Sequence, residues 1–150
     1  MTPRADPGEE PLRKIFFGSG AFAVPILQAL IGRTDVVVVG VVTPLDLPSG
    51  RRAVLTPVPV AAAARAAGLP LLQVARVRVP EAIASIRALR PDLGVLADFG
   101  QLIPGSIIEF LRLGILNVHP SLLPRHRGAT PIPATILAGD RVGGVAIMQM

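Results

Sequence analysis

Two polar side chains at alternate positions stand out in this largely apolar chain of 150 residues. Asn117 and His119 are separated by one residue in "ILNVHP", a segment typical of a β-strand, so both side chains should leave the same face. An amide that donates hydrogen bonds and an imidazole that exchanges a proton can together stabilise an oxyanion and move a proton. The pair therefore predicts a catalytic site, with a purely structural histidine as the alternative.

The loop after this pair combines apolar and basic residues. The run "SLLP" at residues 121–124 predicts a short platform that suits a flat ring, although an ordinary Pro-terminated loop has the same composition. His126 lies between two arginines and is expected to be exposed or at the rim of the site. Because no nearby acid or cysteine accompanies Asn117, His119 and His126, this stretch predicts no metal site.

Basic residues outnumber acidic ones, at 15 against 10. Two arginine pairs, Arg51 with Arg52 and Arg125 with Arg127, lie in loops that we expect at the same edge of the fold. Their position favours contact with the phosphates of an anionic partner such as nucleic acid. A well-hydrated basic surface is the alternative, since charge alone does not separate the two.

The glycine cluster "GSGAFA" at residues 18–23 fits the G-x-G-x-x-A pattern of dinucleotide sites. Such a site needs an acid at the end of the second strand, and Asp46 is a late, proline-flanked candidate. Pro25 also falls in the first turn of the predicted helix. We therefore expect a tight turn near a substrate group rather than a dinucleotide site.

The candidate residues lie at the ends of predicted strands. Apolar β-branched runs such as "DVVVVGVVT" alternate with helical stretches about five times, which predicts an α/β fold. The expected architecture is a doubly wound, mostly parallel sheet with helices on both faces, whose site lies past the carboxyl ends of the strands. Phe22, Ile26 and Leu30 should form the apolar stripe of the first helix, and residues 44–59 an irregular loop.

Composition sets further bounds. Residues 1–12 are expected to be a flexible tail and residues 13–150 a single domain. The absence of cysteine excludes disulfides and thiolate metal sites. The N-terminal residues lack the apolar core of a signal peptide, and no apolar run approaches the roughly 18 residues of a membrane span. We therefore expect no membrane attachment.

The stretch "LNVHPSLLPRHRGATPI", with "AGD" and "GVAIMQM" after it, resembles the signature of the folate-dependent formyltransferases. Three further stretches, "FFGSGAFAVPILQAL", "TPLDLPSGRR" and "ADFGQLIP", resemble the branch of that family that formylates methionyl-tRNA. The similarity runs from about Arg13 to Met150. It implies 10-formyltetrahydrofolate as formyl donor, initiator methionyl-tRNA as acceptor, no metal, and a cytoplasmic monomer.

The resemblance also implies roles for individual positions. The catalytic positions of the family fall on Asn117 and His119. Its folate-contacting positions fall on Ser121, Leu122, Leu123, Pro124, Phe99, Gly100 and Leu102. Its tRNA-contacting positions fall on Arg51, Arg52, Arg125 and Arg127. The sequence departs from the family at Leu47, where an arginine is usual, and at Asp98 and Phe99, where alanine and tyrosine are common.

The pattern of that family continues beyond the positions that these 150 residues match. The third catalytic residue of the family, an aspartate that orients the histidine, falls a few positions after "IMQM", and a C-terminal β-barrel domain follows. We therefore expect this chain to be the N-terminal part of such an enzyme, with little activity alone. The alternatives are a folate formyltransferase acting on a small amine such as a ribonucleotide or nucleotide-sugar, and a catalytically inactive folate- or nucleotide-binding module.

Overall fold

A computed structural model describes residues 10–49 and 54–150. Strands and helices alternate along the chain as the hydrophobic pattern predicts. The strands are β1 (Leu12–Gly18), β2 (Val36–Thr43), β3 (Leu47–Ser49), β4 (Val54–Thr56), β5 (Leu71–Gln73), β6 (Leu93–Ala97), β7 (Ile115–His119) and β8 (Ala146–Gln149). The helices are α1 (Ala23–Ile31), α2 (Pro59–Ala66), α3 (Pro80–Ala88), α4 (Gly105–Ile108) and α5 (Pro131–Leu137).

Six strands form one sheet in the order β5-β2-β1-β6-β7-β8. The chain starts at β1, proceeds outward through β2 to β5, then returns to the other side of β1 and continues to β8. The order therefore reverses between β1 and β6, which confirms the doubly wound architecture. All pairings in this sheet are parallel except that of β8, which runs antiparallel to β7 at the edge.

Helices cover both faces of the sheet and create two apolar layers. β2 consists almost entirely of valine, which suits a strand buried on both sides. The layer under α1 and α2 contains Phe16, Ala23, Leu27, Val38, Val41, Val60, Ala64, Val95 and Ala97. The layer on the opposite face contains Ile15, Phe17, Val42, Val77, Ile86, Phe99, Ile107, Leu111 and Ile115. Among the described residues, no helix is long and apolar enough to cross a membrane.

The helix boundaries follow local chemistry. α2, α3 and α5 each begin with a proline, whose missing N–H is harmless in a first turn. The chain leaves α2 through Gly68 at φ 65°, a conformation that glycine adopts without strain. In α1 the fully buried residues are Ala23 and Leu27, whereas the predicted stripe of Phe22, Ile26 and Leu30 packs beside them and stays partly exposed.

Residues 44–59 differ from the predicted irregular loop. They contain a short antiparallel pair, β3 with β4, in which Leu47 is opposite Thr56 and Ser49 is opposite Val54. Each of these strands has only three residues, and β3 contains a proline, so the sequence shows no alternating pattern that would indicate them. The predicted tRNA-contacting Arg51 and Arg52 lie outside the described residues.

The predicted N-terminal tail lies mostly outside the described residues. Its last residue, Leu12, already belongs to β1, where it pairs with Val36 of β2. The strand therefore begins one residue earlier than the predicted boundary of the domain.

The glycines after β1 permit a close approach between two strand ends. The backbone N–H of Ser19 donates to the carbonyl of Asp98 over 2.9 Å, and the Ser19 hydroxyl donates to the same oxygen. A Cβ atom at Gly20 would overlap with Oδ2 of Asp98. This turn is therefore shaped by packing against the β6 loop, which agrees with the predicted tight turn.

We predict that Gly18→Ala destabilises the fold through overpacking. A Cβ atom there would lie 2.7 Å from the ring of Phe16 and 3.0 Å from the carbonyl oxygen of Ala97. The free energy of unfolding should fall by about 1–3 kcal/mol. The matched control is Gly32→Ala, whose nearest neighbours are 3.7 Å away, and it should change stability by less than about 0.5 kcal/mol. Urea denaturation measures both; equal stabilities would contradict the prediction.

Candidate active site

Three loops meet at the carboxyl edge of the sheet, as the topology requires. The loops after β1, β6 and β7 enclose a cavity of about 620 Å³ beside the point where the strand order reverses. The cavity is lined by the aromatic ring of Phe99, by the start of α5 and by the end of β7. The lining residues are Phe22, Leu96, Asp98, Phe99, Gly100, Gln101, Leu102, Asn117, Val118, His119, Pro120, Gly128, Ala129, Thr130, Pro131, Ile132 and Pro133.

Asn117 and His119 form one wall of this cavity. Both belong to β7, which is held between β6 and the antiparallel β8, so their spacing keeps the two side chains on one face. The same two residues also line a second cavity, of about 660 Å³. That cavity is completed by Leu123, Pro124, Arg127, Gly128 and Met148. The Asn117–His119 pair therefore lines both the first and the second cavity.

The His119 ring is held by a backbone group. Its Nε2 lies 3.1 Å from the carbonyl oxygen of His126. Because a carbonyl oxygen only accepts, Nε2 must carry the proton in this contact. In the neutral ring, Nδ1 then keeps the lone pair and is the nitrogen free to accept a proton.

His126 is not exposed, so that part of the prediction was wrong, and it lines neither of the two cavities. Its side chain is only 15% exposed, and its Nε2 donates to Oδ2 of Asp140 over 2.6 Å. The other carboxylate oxygen of Asp140 accepts a hydrogen bond of 2.8 Å from Arg125. The hydrogen bond from His126, followed by that from Arg125, lowers the pKa of the Asp140 carboxyl below its ordinary value.

The turn after β7 is stabilised by Ser121. This residue is fully buried, and its hydroxyl donates to the carbonyl of Arg125 over 2.8 Å. Its backbone N–H donates to the carbonyl of His119 over 2.8 Å, while the Leu123–Pro124 peptide bond is cis. The polar groups of Ser121 are thus engaged within the turn, and the residue lines neither cavity described above.

The other predicted folate-contacting residues divide between the two cavities. Phe99, Gly100 and Leu102 line the first, whereas Leu123 and Pro124 line the second. Leu122 lines neither; it is half exposed and packs so closely against Gly144 that a Cβ atom there would overlap with a Leu122 methyl.

The predicted phosphate-contacting arginines of this loop differ from each other. Arg125 is 61% exposed but is ion-paired with Asp140. Arg127 lines the second cavity, and among the described residues it takes part in no ion pair. Arg127 is therefore the better placed of the two to meet an anionic ligand.

Asp46 has a structural role. Its carboxylate accepts hydrogen bonds from the Val58 N–H over 3.0 Å, from Gln73 over 2.9 Å and from Arg65 over 3.1 Å. These contacts join the β3 region to α2 and β5. Because the carboxylate is engaged in this way, it does not complete a dinucleotide site with the glycine turn.

Two further residues shape the site: Gln101, which lies inside the predicted pocket stretch 99–102, and Asp140, which the sequence interpretation missed. The side-chain oxygen of Gln101 accepts from the Val77 N–H over 2.8 Å and so attaches the wall of the first cavity to the neighbouring loop. Asp140 anchors His126 and Arg125. A signal existed for Asp140, because it is the only acidic residue after Glu109 in a stretch with four arginines. Within residues 10–49 and 54–150, no cluster of three acidic or histidine side chains could hold a metal ion.

Residues 12–150 match the family described as formyl transferase. Because the match covers nearly the whole chain, the protein belongs to the formyl transferase family. It is 49% identical over 139 residues to a methionyl-tRNA formyltransferase of Chloroflexus aggregans, covering 93% of this chain and 45% of that protein. It is 47% identical over 136 residues to a methionyl-tRNA formyltransferase of Geobacter metallireducens, covering 91% of this chain and 43% of that protein.

Solved structures confirm the fold. A phosphoribosylglycinamide formyltransferase from Anaplasma phagocytophilum superimposes with a TM-score of 0.72 at 25% identity, over 94% of this chain and 65% of that one. The enzyme of the same name from Bacillus halodurans gives a TM-score of 0.72 at 23% identity, over 92% of this chain and 71% of that one. The chain spans less than half the length of each of the two methionyl-tRNA formyltransferases named above.

We predict that Ser121→Ala lowers stability more than it lowers folate affinity. The carbonyl of Arg125 would lose its buried partner, so the free energy of unfolding should fall by about 1–2 kcal/mol. Ser85→Ala is the matched control, since its exposed hydroxyl also donates to a carbonyl four residues away, and it should stay within about 0.5 kcal/mol. Thermal unfolding and titration with a folate analogue separate the two roles. Lost affinity at unchanged stability would show that Ser121 contacts the folate directly.

We predict that Asp46 makes the fold sensitive to acid. Its contacts, first the Val58 N–H, lower its pKa below the ordinary value of 3.8. A lowered folded-state pKa contributes stability above the unfolded-state pKa, and that contribution disappears as the pH falls through the folded-state pKa. Asp46→Asn should therefore be less stable than the parent at neutral pH, with the difference shrinking below about pH 3.8. Parallel stability curves in acid denaturation would contradict this assignment.

Proposed function

We propose that this chain provides the catalytic centre for transfer of a formyl group from 10-formyltetrahydrofolate to the α-amino group of methionyl-initiator tRNA. The observation that carries the proposal is the common wall that Asn117 and His119 form between two adjoining cavities. A group-transfer reaction needs this arrangement, because donor and acceptor must meet at one reacting carbon. The relatives named methionyl-tRNA formyltransferase support the choice of acceptor.

The two polar side chains suit the steps of the reaction. The neutral amine attacks the formyl carbon, a new N–C bond forms, and negative charge develops on the formyl oxygen. Asn117 would donate a hydrogen bond to that oxygen. His119 would accept the proton of the attacking amine at Nδ1 and pass it to the departing folate nitrogen as the old C–N bond breaks. The products are formylmethionyl-tRNA and tetrahydrofolate, and the ring ends in its starting state.

The surroundings of the pair suit the proposed ligands. The apolar walls at Phe99 and Leu102 offer a surface for the pterin ring, and Leu123 and Pro124 extend this surface into the second cavity. Arg127 at the second cavity would contact an anionic portion of the folate or of the tRNA. We further propose that Arg125 contributes positive charge at the same rim.

We also propose that the complete activity needs a longer chain. The matched part of the Chloroflexus aggregans protein is 45% of its length. We propose that the third catalytic residue and the tRNA-binding domain implied by the sequence resemblance lie outside the part of the family that this chain matches. On this proposal the 150-residue chain binds a folate analogue but transfers formyl groups poorly.

The test uses a chimaera in which this chain is followed by the remaining part of the Chloroflexus aggregans relative. The chimaera should formylate methionyl-tRNA, and Asn117→Ala or His119→Ala should each reduce kcat/KM by about 10²–10³-fold. Ser85→Ala, on the exposed side of α3 and lining neither cavity, serves as the control and should retain full activity. The Asn117→Ala and His119→Ala variants should still bind a folate analogue.

Other outcomes identify the alternatives. Transfer to glycinamide ribonucleotide or an amino sugar nucleotide, but not to methionyl-tRNA, would indicate a small-amine formyltransferase. Folate binding without transfer to any acceptor in the chimaera would indicate an inactive binding module. Wild-type rates in both Asn117→Ala and His119→Ala would place the chemistry elsewhere.

A further inference from the structure

We propose that Asp140 is a positioning residue for His119 that acts through His126. By holding His126, Asp140 aims the His126 carbonyl at Nε2 of His119 and so fixes which nitrogen of the reactive ring carries the proton. The catalytic meaning of this arrangement rests on the proposed function, whereas the arrangement itself does not.

The first link is the contact between Asp140 and His126. The two side chains are 14% and 15% exposed and lie 2.6 Å apart, so the contact is largely shielded from water. Arg125 occupies the other carboxylate oxygen but is itself 61% exposed. Exposed ion pairs contribute little, so the His126 contact should be the stronger restraint.

The second link is the backbone of His126. This residue has φ 52°, in the left-handed region that is unfavourable for most side chains. A residue in this conformation needs tertiary contacts to hold it, and the described contact of the His126 side chain is with Asp140. The conformation directs the His126 carbonyl toward β7, where it accepts from His119 over 3.1 Å.

The third link is the tautomer of His119. If the proton were on Nδ1, the lone pair of Nε2 would face the lone pairs of the His126 carbonyl, and two acceptors would repel each other. The carbonyl therefore selects the Nε2–H form, which leaves Nδ1 as the proton-accepting nitrogen. Asp140 lines neither cavity, so its effect on the reacting groups would be indirect.

Nitrogen NMR tests the tautomer directly. The chain contains two histidines, so one substitution, His126→Gln, assigns both rings. In the parent chain at a pH where both rings are neutral, His119 should be mainly in the Nε2–H form. Asp140→Ala should reduce the ratio of Nε2–H to Nδ1–H by about fivefold, the effect expected for loss of one ordinary hydrogen bond. Asp140→Asn, which keeps the shape and one acceptor, should give a smaller shift.

Matched controls separate positioning from general destabilisation. Asp46→Ala removes an aspartate with similar exposure, 13%, that is also paired with an exposed arginine but contacts neither cavity. It should lower stability without changing the His119 tautomer. His126→Gly keeps the left-handed backbone accessible while deleting the link to Asp140, and it should shift the ratio as Asp140→Ala does.

Three results would overturn the proposal: an Nδ1–H ring in the parent chain, an unchanged ratio in both Asp140→Ala and His126→Gly, or an equal shift in Asp46→Ala. In the chimaera, Asp140→Ala should lower kcat about tenfold with little change in KM for the folate. Should the chimaera transfer no formyl group, the proposed function fails while the tautomer result stands, because the NMR measurement needs no substrate.

Discussion

The register of β7 is the constraint on which the candidate site depends. Asn117 and His119 can serve one reacting centre only because a strand repeats every two residues and both neighbours of β7 hold it in place. A slip by one residue would turn both side chains to the opposite face. The parallel pairing with β6 also places the Phe99 loop beside the pair, so one strand alignment positions both the Asn117–His119 wall and the apolar wall of the cavity.

The turn after β7 orients the His119 ring, which the strand alone does not do. β7 fixes where the His119 side chain begins, but rotation about its side-chain bonds would still leave the ring free. The turn after β7 returns the backbone so that the His126 carbonyl meets that ring. Ser121 inside the turn and Asp140 outside it hold the returning chain from two sides. The orientation of the His119 ring thus depends both on the pairing of β7 with its neighbouring strands and on the short turn that follows β7.

The sequence predicted the layers well because the strands and helices of the main sheet carry local signals. The valine run of β2 and the proline that opens α3 needed no tertiary information. The spacing of Asn117 and His119 was equally local. The misassigned feature depends on a partner distant in sequence: the His126 side chain is only 15% exposed where it donates a hydrogen bond to Asp140, 14 residues later. Residue type alone favoured an exposed position between two arginines, and no periodicity marks a contact of that kind.

The charge balance around Asp140 explains how an acid can lie near a site that is proposed to stabilise an oxyanion. An unpaired carboxylate close to the reacting carbon would oppose the developing negative charge. Here Arg125 pairs with one oxygen and His126 donates to the other, so the carboxylate is engaged by two donors. Asp140 can therefore act on His119 through hydrogen bonds while adding little negative potential to the cavities. Arg127, which takes part in no ion pair among the described residues and lines the second cavity, is then the cation beside the reacting centre. The loop thus separates an arginine that balances an internal charge from one that remains available to a ligand.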